Sequence, residues 1–259
     1  MTVASAPSKR TAAPSIDALK VKIFADGADT SVMIDMAKRS YIKGFTTNPT
    51  LMRKAGVSDY RAYAKSVLEA LPGRSISFEV LSDDFDRMER EAREIASWSD
   101  HLYVKIPVTN TRRESSAPLI KRLSAAGIKL NVTALTTTEQ VAEVSAALGN
   151  KTPSYISVFA GRVADTGRDP LPIMIESLKI MRPHPHQELI WASPRELLNV
   201  IQADQIGCHI ITITQDVFKK LPLIGKPLDQ YSLETVEMFH RDAKEAGITL
   251  NVKPNDKHA

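Results

Sequence analysis

The segment Leu102–Leu135, LYVKIPVTNTRRESSAPLIKRLSAAGIKLNVTAL, places a helical run between two β-rich runs. The β-rich runs are Leu102–Ile106 and Lys129–Leu135, and the amphipathic helical run between them is Ala117–Ala126. A strand, a helix and a second strand of these lengths form a β/α unit with parallel strands. The segment therefore predicts an α/β fold with a parallel sheet.

The same alternation extends through the rest of the 259-residue chain, with further helical runs at Asp83–Ser97, Glu139–Leu148 and Leu233–Ala246. Eight units in about 240 residues match a closed, eight-stranded parallel β/α (TIM) barrel. An open doubly wound sheet is the alternative, but no G-x-G-x-x-G turn follows the first strand to favour it. The predicted strands are Val21–Ala25, Gly44–Thr46, Ser75–Val80, Leu102–Ile106, Lys129–Leu135, Tyr155–Phe159, Leu189–Trp191 and Ile210–Ile213.

The composition indicates one large globular domain, with 43% hydrophobic and 25% charged residues and no apolar run long enough to span a membrane. The first 15 residues lack the apolar segment of a secretory signal. We expect a disordered tail over 1–15, a single barrel domain over 16–250 and a C-terminal tail over 251–259. One cysteine, Cys208, excludes an internal disulfide and fits a reducing cytoplasm. A net charge of +4 permits an anionic ligand but is too small to indicate nucleic acid.

Polar residues recur on one face of the predicted strands. Side chains alternate between the two faces of a strand, and Glu79, Lys105 and Asn131 each stand between apolar neighbours. A parallel strand is usually apolar on both faces, because both are covered. We therefore expect the apolar faces to pack against the outer helices and the polar faces to point into the barrel.

Three charged residues on the inward-facing positions of the strands predict the type of reaction. A charge inside a barrel is costly unless it is paired, so Asp26, Glu79 and Lys105 are expected to cluster near the carboxyl ends of the strands. A neutral lysine amine attacks a carbonyl to form a Schiff base, whose iminium accepts electrons from a breaking C–C bond without a metal. Carboxylates supply the acid and base. Neutral polar groups suited to sugar hydroxyls are Asn48, Asn131, Thr133 and Ser157.

Two arginines indicate an anion site after the sixth and seventh strands. Arg162 follows the sixth, and Arg195 lies in the segment Ala192-Ser193-Pro194-Arg195-Glu196 after the seventh. We interpret that segment as a helix start, with Ser193 as N-cap, Pro194 as first helical residue and Glu196 completing a capping box. Its free N–H groups, together with Arg195, would bind a phosphate. The alternative is that Arg195 is a surface helix residue.

Five motifs, taken in order, resemble those of the transaldolase family of Schiff-base barrel enzymes. They are GFTTNPTL at 44–51, VKI at 104–106, NVT at 131–133, SVFAGR at 157–162 and ASPR at 192–195. The resemblance covers Lys22–Leu221. It implies transfer of a dihydroxyacetone unit from a ketose phosphate to an aldose phosphate, without a metal or cofactor, as in the pentose phosphate pathway.

Position by position, the resemblance also implies residue roles. Lys105 would be the nucleophile, and Asp26 the base for C–C cleavage and the acid for the return step. Glu79 and Thr133 would handle the water that imine formation releases and imine hydrolysis consumes. The other implied residues contact substrate: Asn48, Asn131 and Ser157 hold donor hydroxyls, Thr46 and Phe159 line the pocket, and Arg162, Ser193 and Arg195 bind the phosphate.

Other functions remain open at this stage. The related fructose-6-phosphate aldolases release free dihydroxyacetone, but they typically carry Gln for Glu79 and Tyr for Phe159, so this pair favours the transferase. The chain departs from the family motifs at two positions: Val158 stands where the family usually has Pro, and Pro194 stands where it has an aromatic residue. These departures leave a sulfosugar or another modified ketose as an alternative donor. A non-catalytic barrel that binds sugar phosphates is the alternative of another class.

The expected partners are small-molecule sugar phosphates and, in a homo-oligomer, further copies of the chain. Neither nucleic acid nor a membrane is expected to bind, because basic residues are scattered among nearly as many acidic ones. His184 and His186 flank a proline and lack a third ligand, so they predict a surface loop and no metal site. Cys208 is interpreted as a packing residue.

Overall fold

The computed structural model describes residues 15–250. Eight parallel strands close into a barrel in sequence order, which confirms the predicted TIM barrel. The ends of the strands differ from the predicted ends by at most two residues. The strands are Lys22–Asp26 (β1), Ile42–Thr46 (β2), Ser75–Glu79 (β3), Leu102–Pro107 (β4), Leu130–Leu135 (β5), Ser154–Val158 (β6), Gln187–Trp191 (β7) and Ile210–Ile213 (β8).

Helices follow the strands, and several begin at a residue whose side chain caps them. Asp29, Asp59 and Asp84 each accept N–H bonds at a helix start, and Thr137 forms a capping box with Gln140. The helices are Thr30–Ala37 (α1), Pro49–Lys54 (α2), Tyr60–Ala70 (α3), Phe85–Ala96 (α4), Ala117–Ala125 (α5), Thr138–Leu148 (α6), Ala160–Ala164 (α7), Leu171–Met181 (α8), Leu198–Gln205 (α9), Gln215–Phe218 (α10) and Leu228–Glu245 (α11).

The barrel lies in one compact unit, Ile16–Pro222, and the described residues from Leu223 onward belong to a second unit. In that second unit, α11 begins at Leu228, five residues before the predicted start of this helix. The predicted tails, apart from Ser15, lie outside the described residues. Across residues 15–250, no helix has the length and apolar character needed to cross a membrane.

Below the carboxyl ends of the strands, the barrel interior is filled by large side chains. Phe24 of β1 meets Tyr155 of β6 across the lumen, with ring centroids 5.8 Å apart, and Ile190 and Ile210 pack against them. Gly44 on β2 leaves room for the Phe24 ring, because a Cβ at Gly44 would lie 2.7 Å from it. These contacts close the lumen below the last residues of the strands, so any site must open at the carboxyl ends.

Candidate active site

A cavity of about 400 Å³ opens at the carboxyl ends of the strands, above the packed interior. Its lining draws on all eight strands or the loops that follow them, which is where barrel enzymes carry their sites. A second cavity, of about 600 Å³, adjoins it and shares Asp26, Pro194 and Arg195. The 400 Å³ cavity brings together every residue that the sequence analysis singled out: Asp26, Thr46, Asn48, Glu79, Lys105, Asn131, Thr133, Ser157, Phe159, Arg162, Ser193 and Arg195.

Lys105 is the cation at the base of this cavity. The β3–β4 register sets Glu79 opposite Lys105, and the Lys105 Nζ lies 3.1 Å from the Glu79 Oε2. Lys105 is only 5% exposed, and its amine donates a 2.7 Å hydrogen bond to the backbone carbonyl of Thr47. The amine is thus anchored between a carboxylate and a carbonyl while still lining the cavity. This arrangement satisfies the pairing that a buried charge requires.

Asp26 is the second carboxylate of the site, at the end of β1. Thr46 donates a 2.7 Å hydrogen bond to the Asp26 Oδ1, and the Asn48 amide nitrogen lies 3.5 Å from the Oδ2. The oxygen of the Asn48 side chain accepts from the Leu51 N–H and thereby caps α2. Burial raises the pKa of Asp26, and Glu79 acts in the same direction; Lys105 and the Thr46 hydrogen bond oppose the rise.

Neutral polar groups line the β3, β5 and β6 side. The Asn131 amide donates to the Ser77 Oγ at 3.0 Å, and its oxygen accepts from the Ser157 Oγ at 2.7 Å, so both ends of the amide are fixed. The Thr133 Oγ1 is buried and has no hydrogen-bond partner among the described residues. A buried hydroxyl that faces a polar cavity without a protein partner is available to a water molecule or a substrate.

The arginine side of the cavity is built from α7, which carries Arg162, and from the loop after β7, which carries Arg195. Arg195 donates to both carboxylate oxygens of Asp165, through its Nε at 2.9 Å and through its Nη2. These bonds, aided by the charge of Arg162, lower the pKa of Asp165. The Ser193 φ of 58° is left-handed, and a Cβ on Gly161 would lie 1.6 Å from the Ser193 carbonyl oxygen. Glycine at 161 therefore permits the close approach of α7, which carries Arg162, to the loop that carries Arg195.

The predicted helix start at Ser193 is wrong. Helix α9 begins at Leu198, because a left-handed Ser193 does not have the extended backbone of an N-cap. The N–H groups of Arg195 and Glu196 are not free either, since both donate to the Asn199 Oδ1, at 2.8 and 3.2 Å. The N–H groups of Arg195 and Glu196 are therefore not available to an anion, which leaves the side chains of this loop as candidates.

Four residues at or beside the site were missed. Ser77 and Thr212 both lie on inward-facing positions of their strands, so parity was a sufficient signal for them. Thr47 acts through its backbone carbonyl, and Asp165 acts from the end of α7, where no strand pattern applies. The alternation of polar and apolar residues in the sequence therefore gives no signal for Thr47 or for Asp165.

Cys208 and His184 lie outside the cavity. Cys208 is 3% exposed, and burial raises its pKa to about 12, which confirms a packing role. The His184 Nδ1 contacts the Asn150 Oδ1. Within residues 15–250 no group of three or more histidine, cysteine, aspartate or glutamate side chains is arranged to hold a metal ion.

Known proteins resemble this chain in sequence over most of its length. The family model described as transaldolase/fructose-6-phosphate aldolase matches residues 23–254. A protein named probable transaldolase from Thermoanaerobacter is 33% identical over 231 residues, which cover 89% of this chain and 100% of the relative. One from Dehalococcoides mccartyi is 32% identical, over 78% of this chain and 90% of its own length. A third, from Streptococcus agalactiae, is 35% identical, over 83% of this chain and 95% of its own length.

Proposed function

Because the chain belongs to the transaldolase/fructose-6-phosphate aldolase family, we propose that it is a transaldolase that acts through a Schiff base at Lys105. The donor would be a ketose phosphate and the acceptor an aldose phosphate. The observation that carries the proposal is a buried amine beside Glu79 that lines one cavity together with Asp26. An amine, an acid and a base in one cavity are the groups that Schiff-base aldol chemistry needs.

Imine formation is assigned to Lys105, Glu79 and Thr133. The Lys105 ammonium first gives a proton to the Glu79 carboxylate, and the resulting neutral amine attacks the ketone carbon. The carbinolamine that forms then loses its hydroxyl as water to give the iminium. Glu79, 3.1 Å from the Lys105 Nζ, is placed to give a proton to that hydroxyl and to take one back when water hydrolyses the imine. The unpartnered Thr133 hydroxyl supports a role in holding that water.

Carbon–carbon cleavage is assigned to Asp26. Its carboxylate removes the proton of the substrate hydroxyl next to the breaking bond; the C–O bond becomes an aldehyde and the bonding electrons move into the iminium. Protonated Asp26 then returns this proton when the enamine attacks the acceptor aldehyde. The raised pKa of Asp26 supports this assignment, because a general acid–base group works best when its pKa is closer to neutral pH than that of an ordinary carboxyl.

Phosphate binding is assigned to Arg162, Ser193 and Arg195. The two guanidinium groups border the same cavity as the amine, and charge-assisted bonds from arginine are the strong bonds to phosphate. Asn48, Asn131 and Ser157 supply donors and acceptors for the sugar hydroxyls, with Thr46 and Phe159 as lining. With the substrate anchored there, the reaction requires no partner beyond the sugar phosphates, and the single cysteine supports a cytoplasmic location.

A transfer assay tests the proposal. The protein is incubated with a panel of ketose phosphates and sulfosugars, with and without an aldose phosphate acceptor, and both products are quantified. We expect acceptor-dependent transfer, reduced at least about 10³-fold in Lys105→Ala, because the covalent step is lost. Lys129→Ala is the matched control, since Lys129 is half-buried and its amine bonds only the Asp100 carbonyl among its described contacts.

The same assay separates the alternatives. Release of free dihydroxyacetone without transfer would indicate the aldolase reaction instead. Turnover restricted to sulfonated donors would indicate a sulfosugar transaldolase. Unchanged turnover in Lys105→Ala would contradict the Schiff-base proposal, and binding without any turnover would indicate a non-catalytic barrel.

A further inference from the structure

Thr212 of β8 is a buried hydroxyl beside the proposed base. Its Oγ1 lies 2.6 Å from the Thr46 Oγ1, which in turn lies 2.7 Å from the Asp26 Oδ1. Thr212 is 5% and Thr46 3% exposed, so little water competes for these bonds. The side chains of β8, β1 and β2 thus form a continuous line of oxygens that ends at the carboxylate.

Counting protons gives this line a direction. An ionised carboxylate can only accept hydrogen bonds, and a threonine hydroxyl has a single proton to donate. When Thr46 gives its proton to Asp26, the Thr46 oxygen can only accept from Thr212. The direction is therefore Thr212 to Thr46 to Asp26.

We propose that Thr212 is a positioning residue for Asp26, fixing the hydroxyl of Thr46 so that it donates to the carboxylate. Thr46 is the main hydrogen-bond donor to Asp26 among residues 15–250, because the other side chain that hydrogen-bonds this carboxylate there, Asn48, does so at the long distance of 3.5 Å. Without the Thr212 proton, the Thr46 hydroxyl is free to rotate toward other acceptors. The catalytic part of this inference rests on the proposed function.

Other charged groups around Asp26 are left in place when Thr212 is changed. Lys105 of β4 and Glu79 of β3 act on the pKa of Asp26 in opposite directions. The adjoining cavity adds Asp29 after β1, Lys54 of α2, Arg195 after β7, and Asp216 and Lys220 on the β8 side. Since none of these contacts Thr212 in the described hydrogen bonds, a change in Asp26 can be assigned to the hydroxyl line.

The test compares Thr212→Val, which removes the hydroxyl at almost constant volume, with Thr212→Ser, which restores it. Thr152→Val is the matched control: Thr152 is also buried, and its hydroxyl donates to the Ser124 carbonyl, remote from Asp26. The Asp26 carboxyl is titrated by NMR on protein with ¹³C-labelled aspartate, and its signal is identified by its absence in Asp26→Asn. The same variants are assayed for turnover against pH.

In Thr212→Val we expect the Asp26 pKa to rise by about half a unit, as the loss of one ordinary hydrogen bond predicts. The acid limb of the pH profile of kcat/KM should shift to higher pH by the same amount. Thr212→Ser and Thr152→Val should both match the unmodified protein. If Thr212→Val does not fold, Thr212→Ala serves the same test.

An unchanged Asp26 titration in Thr212→Val, or an equal shift in Thr152→Val, would overturn the inference. The NMR titration needs no substrate, so it gives an answer even if no transferase activity is found. Failure of the proposed function would instead appear as absent turnover in the unmodified protein. The two failures are therefore distinguishable.

Discussion

The two sides of the cavity are built differently. On the interior side, Lys105 and Asn131 are held by strand residues, are almost fully buried and bond to neighbours on other strands. On the rim, Arg195 is exposed, lies on a loop and is paired with Asp165. Strand register fixes the interior groups, whereas the rim depends on loop conformation. We therefore expect interior changes to alter chemical steps and rim changes to alter substrate affinity.

The largest expected effect comes from breaking the interior at Asp26. Asp26→Asn should lower kcat by about 10²–10⁴-fold, the range for loss of a general acid–base group, while leaving KM for the donor little changed. Steady-state kinetics measure both constants. A modest loss, with kcat within a few fold of normal, would remove Asp26 from the proton transfer.

Asp26 also predicts a pH-dependent gain in stability. A carboxyl whose pKa is raised on folding destabilises the native state when it ionises, and this cost is absent below the unfolded-state pKa and complete above the folded-state pKa. Asp26→Asn should therefore have a higher melting temperature than the unmodified protein at pH 7–8, and the same melting temperature as the unmodified protein near pH 3. Thermal unfolding at the two pH values checks this. A higher melting temperature only at acid pH would show that the sign is wrong.

On the rim, Arg195→Ala should raise KM for phosphorylated donors by about 10–100-fold, as the loss of charge-assisted bonds predicts. kcat should change little, and an unphosphorylated ketose should be affected much less. Arg168→Ala is the control, because Arg168 is an exposed arginine on the loop after α7 that bonds Thr166. Equal effects on phosphorylated and unphosphorylated donors would rule out an anion site.

The smallest expected effect is at Glu79, which lies on the interior side but acts on water. Glu79→Gln should slow transfer less than Asp26→Asn does, because an amide cannot carry the proton. It should also raise the share of free dihydroxyacetone, since the fructose-6-phosphate aldolases typically carry Gln at this position. Glu188→Gln, which breaks the Lys22 ion pair at the opposite end of the barrel, is the control. If the partition of products stayed the same, Glu79 would give no basis for distinguishing transferase from aldolase.

The same contrast explains what the sequence could reveal. Alternation along the strands predicted the interior positions of Asp26, Glu79, Lys105 and Asn131, because a closed barrel leaves only two directions for each side chain. The same rule would have found Thr212. The alternation of side chains along each strand therefore predicts most of the residues that face the barrel interior.

The alternation of side chains along strands does not predict the structure of the cavity rim. The left-handed Ser193 and the close approach at Gly161 arise where α7 meets the loop after β7, and these two segments are distant in sequence. Local propensity favoured a capped helix at Ser193, but α9 begins only at Leu198. The pairing of Arg195 with Asp165 spans 30 positions and follows from that loop geometry.

The most direct test of the central claim is reductive trapping. The protein is treated with a ketose phosphate and borohydride, and its mass and peptide map are measured beside those of Lys105→Ala and Lys129→Ala. We predict one stable adduct, with the mass of the reduced imine, on the peptide that contains Lys105; it should be absent in Lys105→Ala and present in Lys129→Ala. An adduct on another lysine, or no adduct from a protein that turns over its donor, would contradict the account.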